Sequence, residues 1–193
     1  MPIIGIIDSQ KSGHLGGSPI VGAYDALATY TVLSGGTSAI MFSGIPSTYT
    51  DLEIRAILKD TNTGADSQGL LMQYNGDSGA NYSFHRLTGD GSSASAGSGT
   101  SQTSITVGGI IRSSSSASMF SSFIMTIKDY SNTSKNKTNR QILGWDTNNT
   151  TTGSIGEWSG AWYSTAAINS ITFTIAGSES FAQYSSISLY GVR

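Results

Sequence analysis

The fold class of this chain is decided by a stretch of eight residues, Leu52-Glu53-Ile54-Arg55-Ala56-Ile57-Leu58-Lys59. Its even-numbered positions are all apolar, and its odd-numbered positions are charged except for Ile57. A period of two is that of a β-strand with one face buried and the other face in water. The stretch therefore predicts a half-buried strand.

β-prone runs on both sides of this stretch predict further strands. Residues 28–33 and 38–42 flank Ser34-Gly35-Gly36-Thr37, which predicts a hairpin. Asn75-Gly76 tolerates positive φ and predicts a turn between two more strands. The remaining predicted strands lie at 69–74, 82–87, 105–112, 119–130, 141–145, 168–175 and 187–192.

Two segments between these strands have a distinctive composition. Residues 89–104 are nearly all Gly, Ser, Ala and Thr, which favours a mobile surface loop. The run Phe123-Ile124-Met125-Thr126-Ile127-Lys128 is almost continuously apolar, which suits a strand buried on both faces. With roughly nine or ten strands and no persistent helical period, we expect an all-β, jelly-roll-like antiparallel β-sandwich.

Composition agrees with a strand-rich fold and narrows the possible functions. The 193 residues include 34 Ser, 21 Thr and 24 Gly, which favour strands and turns over helices. Only 11% of residues are charged and the net charge is −2, so attraction to phosphate contributes little and nucleic acid is a poor candidate partner. Without Cys, disulfides and thiolate metal sites are excluded. No apolar run approaches the ~20 residues that a membrane span needs.

The first 22 residues differ in composition from the rest of the chain. Met1-Pro2-Ile3-Ile4-Gly5-Ile6-Ile7 is apolar but lacks the cationic start of a signal peptide, and a Ser- and Gly-rich stretch follows it to Gly22. One interpretation is a sticky arm and flexible tether over residues 1–24, in front of a single β-sandwich domain over residues 25–193. The other is a first strand of the sheet with a long loop behind it.

Residues that could carry chemistry are scattered. His14 and His85 belong to no ligand-spaced motif, so we expect no metal, and His85 follows Phe84 in a strand that predicts a surface position. Asn75 to Asn81 resembles a calcium loop only faintly, with one carboxylate, Asp77. No Gly-x-Ser-x-Gly lies between a strand and a helix, so we expect neither an enzyme nor a cofactor.

Aromatic and basic clusters admit two interpretations each. Trp158, Trp162 and Tyr163 could stack on a sugar or anchor a protein contact, or Trp145 and Trp162 could fill the core of a chain that is short of Leu. Lys135, Lys137 and Arg140 lie among Asn and Thr, which favours a solvated loop.

Four ordered blocks, with the apolar opening, resemble a family of small virion proteins of tailed bacteriophages. The similar blocks cover most of the chain, and none of them is catalytic. They are residues 42–55 (FSGIPSTYTDLEIR), 74–82 (YNGDSGANY), 129–138 (DYSNTSKNKT) and 181–192 (FAQYSSISLYGV).

This resemblance implies a virion component on the capsid surface, a cement or decoration protein that binds the major capsid protein as a homotrimer. Ile3, Ile4, Ile6 and Ile7 would then add a short strand to an edge of the coat protein. The nearest alternatives are a tail-fibre or host-contact module and a carbohydrate-binding β-sandwich.

Overall fold

The computed structural model describes residues 22–64, 67–114, 118–149 and 152–193. These segments form twelve β-strands and one short 3₁₀ turn at Ala176–Ser178, and they contain no helix long and apolar enough to cross a membrane. The strands are β1 Tyr24–Thr31, β2 Ala39–Ser43, β3 Asp51–Leu58, β4 Ser67–Tyr74, β5 Tyr82–Gly89, β6 Ala94–Gln102, β7 Ile105–Ile111, β8 Ser121–Lys128, β9 Lys137–Asn149, β10 Thr152–Trp162, β11 Ser170–Ile175 and β12 Ser186–Val192.

The strands build two antiparallel sheets that pack face to face. One sheet has eight strands in the order β1-β12-β3-β8-β9-β10-β5-β6, and the other has four in the order β2-β11-β4-β7. The apolar faces of both sheets contribute to a single core cluster. The predicted all-β sandwich is confirmed.

The connectivity is that of a jelly roll with two insertions. The ladder pairs β1 with β12, β2 with β11, β3 with β8 and β4 with β7, and the pairs alternate between the two sheets. This is the double-sheet arrangement of two Greek keys. The strands β5 and β6 are inserted between β4 and β7, and β9 and β10 between β8 and β11. Both insertions extend the same sheet from β8 outward.

The predicted hairpin at residues 28–33 and 38–42 is wrong, although both of its strands exist. The strand β1 pairs with β12 in the large sheet, whereas β2 pairs with β11 in the small one. The turn at Gly35-Gly36, where both glycines have positive φ, carries the chain across the sandwich. The C-terminal strands β12 and β11 pair with β1 and β2 in preference to a local hairpin. The residues of a turn carry no information about such distant partners, so the sequence pattern could not predict this pairing.

The predicted mobile loop at residues 89–104 is also wrong, because most of it is strand β6. Its glycines are explained by close packing against β5. An added Cβ would come within 2.8 Å of the Arg86 side chain at Gly97 and within 2.5 Å of the Phe84 ring at Gly99. The glycines of β6 leave space for the large side chains of β5. A composition rich in Gly and Ser, which is typical of a loop, is therefore found here in an edge strand.

The strand β8 has only one buried face. Phe123, Met125 and Ile127 point into the core, but Ile124 lies exposed on the opposite face. The expectation of burial on both faces fails because the small sheet covers only the inward face of the large one, and no described residue packs over the outward face at Ile124. The strand β10 was not predicted, since its Gly and Ser interrupt the alternation.

Candidate functional site

Large apolar side chains cluster on the outward face of the eight-stranded sheet. Their exposed fractions run from 43% to 67%, on five neighbouring strands. A monomer that exposes a contiguous apolar patch of a few hundred Å² usually uses it for contact. We call this patch the isoleucine face, and it consists of Ile57 on β3, Ile124 on β8, Ile142 on β9, Ile155 on β10 and Leu87 on β5.

Strand register brings these side chains together. Ile124 lies directly opposite Ile142, so the two form the centre of the face. In the adjacent row, small residues separate Ile57 from Ile155, and a shallow hollow of about 860 Å³ lies over this part of the sheet. Exposed large apolar side chains on an open sheet face give a surface that fits another protein better than a small polar ligand.

Arg55, beside the apolar centre, is held in place by three neighbours. Its Nε donates to the Glu53 carboxylate at 2.7 Å. Its guanidinium carbon lies 5.3 Å from the ring centroid of Tyr24 and 5.0 Å from that of Tyr190. The hydrogen bond and charge of Glu53 raise the pKa of Arg55, so the side chain stays a fixed cation.

Two further ion pairs cross the same face. Arg140 on β9 donates to Glu157 on β10. Lys128 on β8 donates to Asp51 at 2.6 Å, and that hydrogen bond raises the pKa of Lys128. Each of these charges lies beside one of the opposite sign, so the face is apolar at its centre and close to neutral at its rim.

The indoles of Trp158 and Trp162 are buried in the sandwich, with only 4% and 3% of each residue exposed. The Trp162 Nε1 donates to Asp77 at 2.6 Å, and its ring stacks on Tyr82 at a centroid distance of 6.3 Å. This corrects the interpretation of the two tryptophans as ligand-stacking residues, because neither offers a ring face to solvent. Of the three aromatic candidates only Tyr163 is exposed, at 58%.

The Asn75–Asn81 segment is an ordinary turn rather than a cation loop. Asn75 and Gly76 have positive φ, as the sequence predicts. The Asp77 carboxylate accepts hydrogen bonds from the Trp162 indole, the Asn81 amide and the Gly79 backbone. These donors account for both oxygens of Asp77, and Asp77 belongs to no group of three or more described side chains that could share a cation. These hydrogen bonds, above all that of Trp162, lower the pKa of Asp77.

The remaining sequence candidates do not converge. His85 is exposed on β5 opposite Ser159, as its strand position predicts. Within the described ranges no group of three or more His, Cys, Asp or Glu side chains could hold a metal ion. The proposed arm residues Ile3, Ile4, Ile6 and Ile7 lie outside the described residues.

Sequence reasoning missed the isoleucine face, although two of its members left a signal. Ile57 broke the alternation of its strand, and Ile124 made its run look apolar on both sides. An apolar residue at a position where the alternation predicts a polar one can indicate that the outward face of the strand contacts another protein. Ile155 and Leu87 left no such trace, because only the strand order brings them beside the other members.

Comparisons with protein-family models, with curated proteins and with solved structures find no match to this chain.

Proposed function

We propose that this chain is a structural protein of a tailed-bacteriophage virion, a decoration protein that binds and stabilises the major capsid protein shell. The proposal joins the sequence resemblance of the four blocks to the surface of the described body. It assigns the protein a role in assembly rather than in catalysis.

The observation that carries the proposal is the isoleucine face. A small protein with five large apolar side chains about half exposed on one sheet face has a surface that favours contact with another protein in an assembly. The rest of the surface is rich in Ser, Thr and Asn, and few residues are charged, which limits nonspecific adhesion of a particle that displays many copies.

Attachment to the capsid is assigned to the isoleucines at positions 3, 4, 6 and 7. The strand β1, which follows this segment in the sequence, lies at an edge of the large sheet. Burying four isoleucines at ~1.5–3 kcal/mol each contributes roughly 6–12 kcal/mol before the cost of ordering the tether. Binding to assembled shells in preference to free coat subunits favours the assembled state by mass action.

The test is co-sedimentation of the purified protein with empty capsids of the phage that encodes it. Replacing all four of these isoleucines with Ser should weaken the apparent affinity by at least about a hundredfold. The matched control replaces Ser9, Gln10, Lys11 and Ser12 with Ala, which changes as many residues of the same segment and should leave binding intact. Undiminished decoration by the isoleucine variant would refute the attachment mechanism.

A carbohydrate-binding or tail-fibre role is the competing assignment. Burial of Trp158 and Trp162 leaves Tyr163 as the one exposed ring of the three candidate aromatics, which is little for a sugar platform. Binding on a glycan array that is lost in Tyr163→Ala, together with no binding to capsids, would favour the competing assignment.

A further inference from the structure

We propose that the isoleucine face is a self-association surface, on which two copies of this chain pack about a two-fold axis that runs along the strands between β8 and β9. The proposal goes beyond attachment to the capsid, because it concerns a contact between copies of the chain, and its two-fold symmetry departs from the homotrimer that the family resemblance implies. The argument rests on the order of side chains across the four central strands of the sheet.

The first row of outward side chains is symmetric in size. In register across β3, β8, β9 and β10 lie Ile57, Ser122, Gly144 and Ile155. Large apolar residues therefore stand at the two ends of the row, and small residues stand in the middle. A two-fold axis between β8 and β9 places Ile57 of one copy over Ile155 of the second copy, twice.

The second row is symmetric in shape and antisymmetric in charge. Its register is Arg55, Ile124, Ile142 and Glu157. The same axis lays the central Ile124 over Ile142 of the second copy. It also lays Arg55 over Glu157 of the second copy, so that a cation meets an anion at both ends of the contact.

This charge complementarity is a property of the pairing and not of the single chain. Within one copy, Arg55 and Glu157 are three strand spacings apart, about 14 Å, and each has its own local partner. Only a second copy, turned over by the two-fold axis, brings them together. Arg55 is already fixed by Glu53 and two tyrosine rings, so little side-chain freedom is lost on pairing.

The available area is enough for a stable dimer. Eight strands at a spacing of about 4.8 Å, each about eight residues long, give an outward face of roughly 900 Å². A standard interface uses about 800 Å² per partner. Two sheets of the same twist also pack face to face with nearly aligned strands, which a two-fold axis along the strands permits.

The first experiment measures the mass of the full chain in solution by sedimentation equilibrium. We expect twice the chain mass of 20.1 kDa, and we expect Ile142→Asp to raise the dissociation constant about tenfold or more. The matched control is Met41→Asp, which changes a residue that is 61% exposed on the outward side of the other sheet and should leave the dimer intact.

The second experiment uses a charge exchange, which remains decisive if Ile142→Asp fails to fold. Arg55→Glu alone and Glu157→Arg alone each put like charges opposite one another and should weaken the dimer. The double variant restores opposite charges across the axis and should recover dimerisation, although both local pairs within each copy remain broken. Rescue by the double variant therefore reports on the contact between copies.

Other outcomes overturn the inference. A wild-type monomer, a trimer, or a dimer that neither Ile142→Asp nor the charge variants weaken would each exclude the two-fold pairing. So would a dimer that dissociates only when residues 1–7 are deleted, since the contact would then belong to that segment. Any of these results would leave the isoleucine face free for a partner other than a second copy, whereas failure of capsid binding would appear in the co-sedimentation experiment, so the two failures are distinguishable.

Discussion

At the scale of single residues, environment separates side chains that look alike in the sequence. The predicted solvated loop at Lys135, Lys137 and Arg140 holds only for Lys135, which is exposed and pairs with Asp129, because Lys137 and Arg140 lie in strand β9. Lys137 is buried, and its ammonium donates to the backbone oxygens of Asn132, Lys135 and Thr165 at 2.5, 2.8 and 3.2 Å. Burial lowers the pKa of Lys137, and three carbonyl oxygens compensate for the lost water.

The link between Trp162 and Asp77 predicts a pH-dependent contribution to stability. Because hydrogen bonds lower the pKa of Asp77 in the folded state, its carboxylate stabilises the fold above the unfolded-state pKa, and this contribution disappears as the pH falls through the folded-state pKa. Trp162→Phe keeps an aromatic ring in the core but removes the indole donor and part of the packed ring. We expect loss of the hydrogen bond to cost about 1 kcal/mol at neutral pH, modest because the loop is partly open to solvent, in addition to a packing loss that does not depend on pH.

Urea unfolding of the wild type and Trp162→Phe at neutral pH, and again well below the usual aspartate pKa, measures this difference. The gap between the two proteins should shrink as Asp77 becomes protonated. A gap that stays constant over the whole range would show that ring packing alone, and not the hydrogen bond, accounts for the loss.

At the scale of elements, one irregularity in β7 shapes the contact between the sheets. The pairing of β4 with β7 slips between Leu70 and Leu71, and Gly108 lies at the slip with φ of +150°. A Cβ added to Gly108 would meet the Leu143 side chain of the opposite sheet at 1.8 Å. The bulge thus lets the two layers approach where a normal residue would hold them apart.

We therefore expect Gly108→Ala to destabilise the protein by about 2–3 kcal/mol, because it combines overpacking with an unfavourable φ. Gly44→Ala is the matched control, since Gly44 has φ of +66° but no atom within 4 Å of an added Cβ. It should cost only the conformational part. Equal melting temperatures for the two variants, measured by circular dichroism, would contradict the close approach of β7 to Leu143.

At the scale of the whole molecule, the core is formed by the two sheets of the described body. Its buried side chains come from residues 32 to 189, and the polar turns lie outside it. The proposed attachment to the capsid is assigned to residues outside this described body.

Deletion of residues 1–7 should leave the melting temperature unchanged, because the proposal assigns the isoleucines of this segment to contact with the coat protein and not to the protein's own core. Differential scanning calorimetry of the shortened and full chains measures this. Phe173→Ala is the positive control, since it truncates a fully buried ring and should cost about 3–5 kcal/mol. A large loss of stability on deletion would place the isoleucines of the first residues in the protein's own core.

Local sequence pattern is enough to predict the class of the fold and most of its strands. The alternation at residues 52–59 correctly predicts that the apolar side chains Leu52, Ile54 and Leu58 are buried. It wrongly places Glu53 and Lys59 in water, because neighbouring side chains cover both of them. The Asn75-Gly76 turn and the exposed position of His85 also follow from local pattern. Burial along one strand repeats every two residues, so neighbours in the chain are enough to reveal it.

Strand pairing, and the surface that this pairing leaves open, cannot be predicted from local sequence pattern. The strand β1 pairs with β12, from the far end of the chain, and not with β2, which follows it in the sequence. The two insertions place β5 beside β10. The isoleucine face exists because this order lines up residues from five separate strands. Pairing energy depends on long-range partners and on a shared core, and no local stretch of residues contains that information.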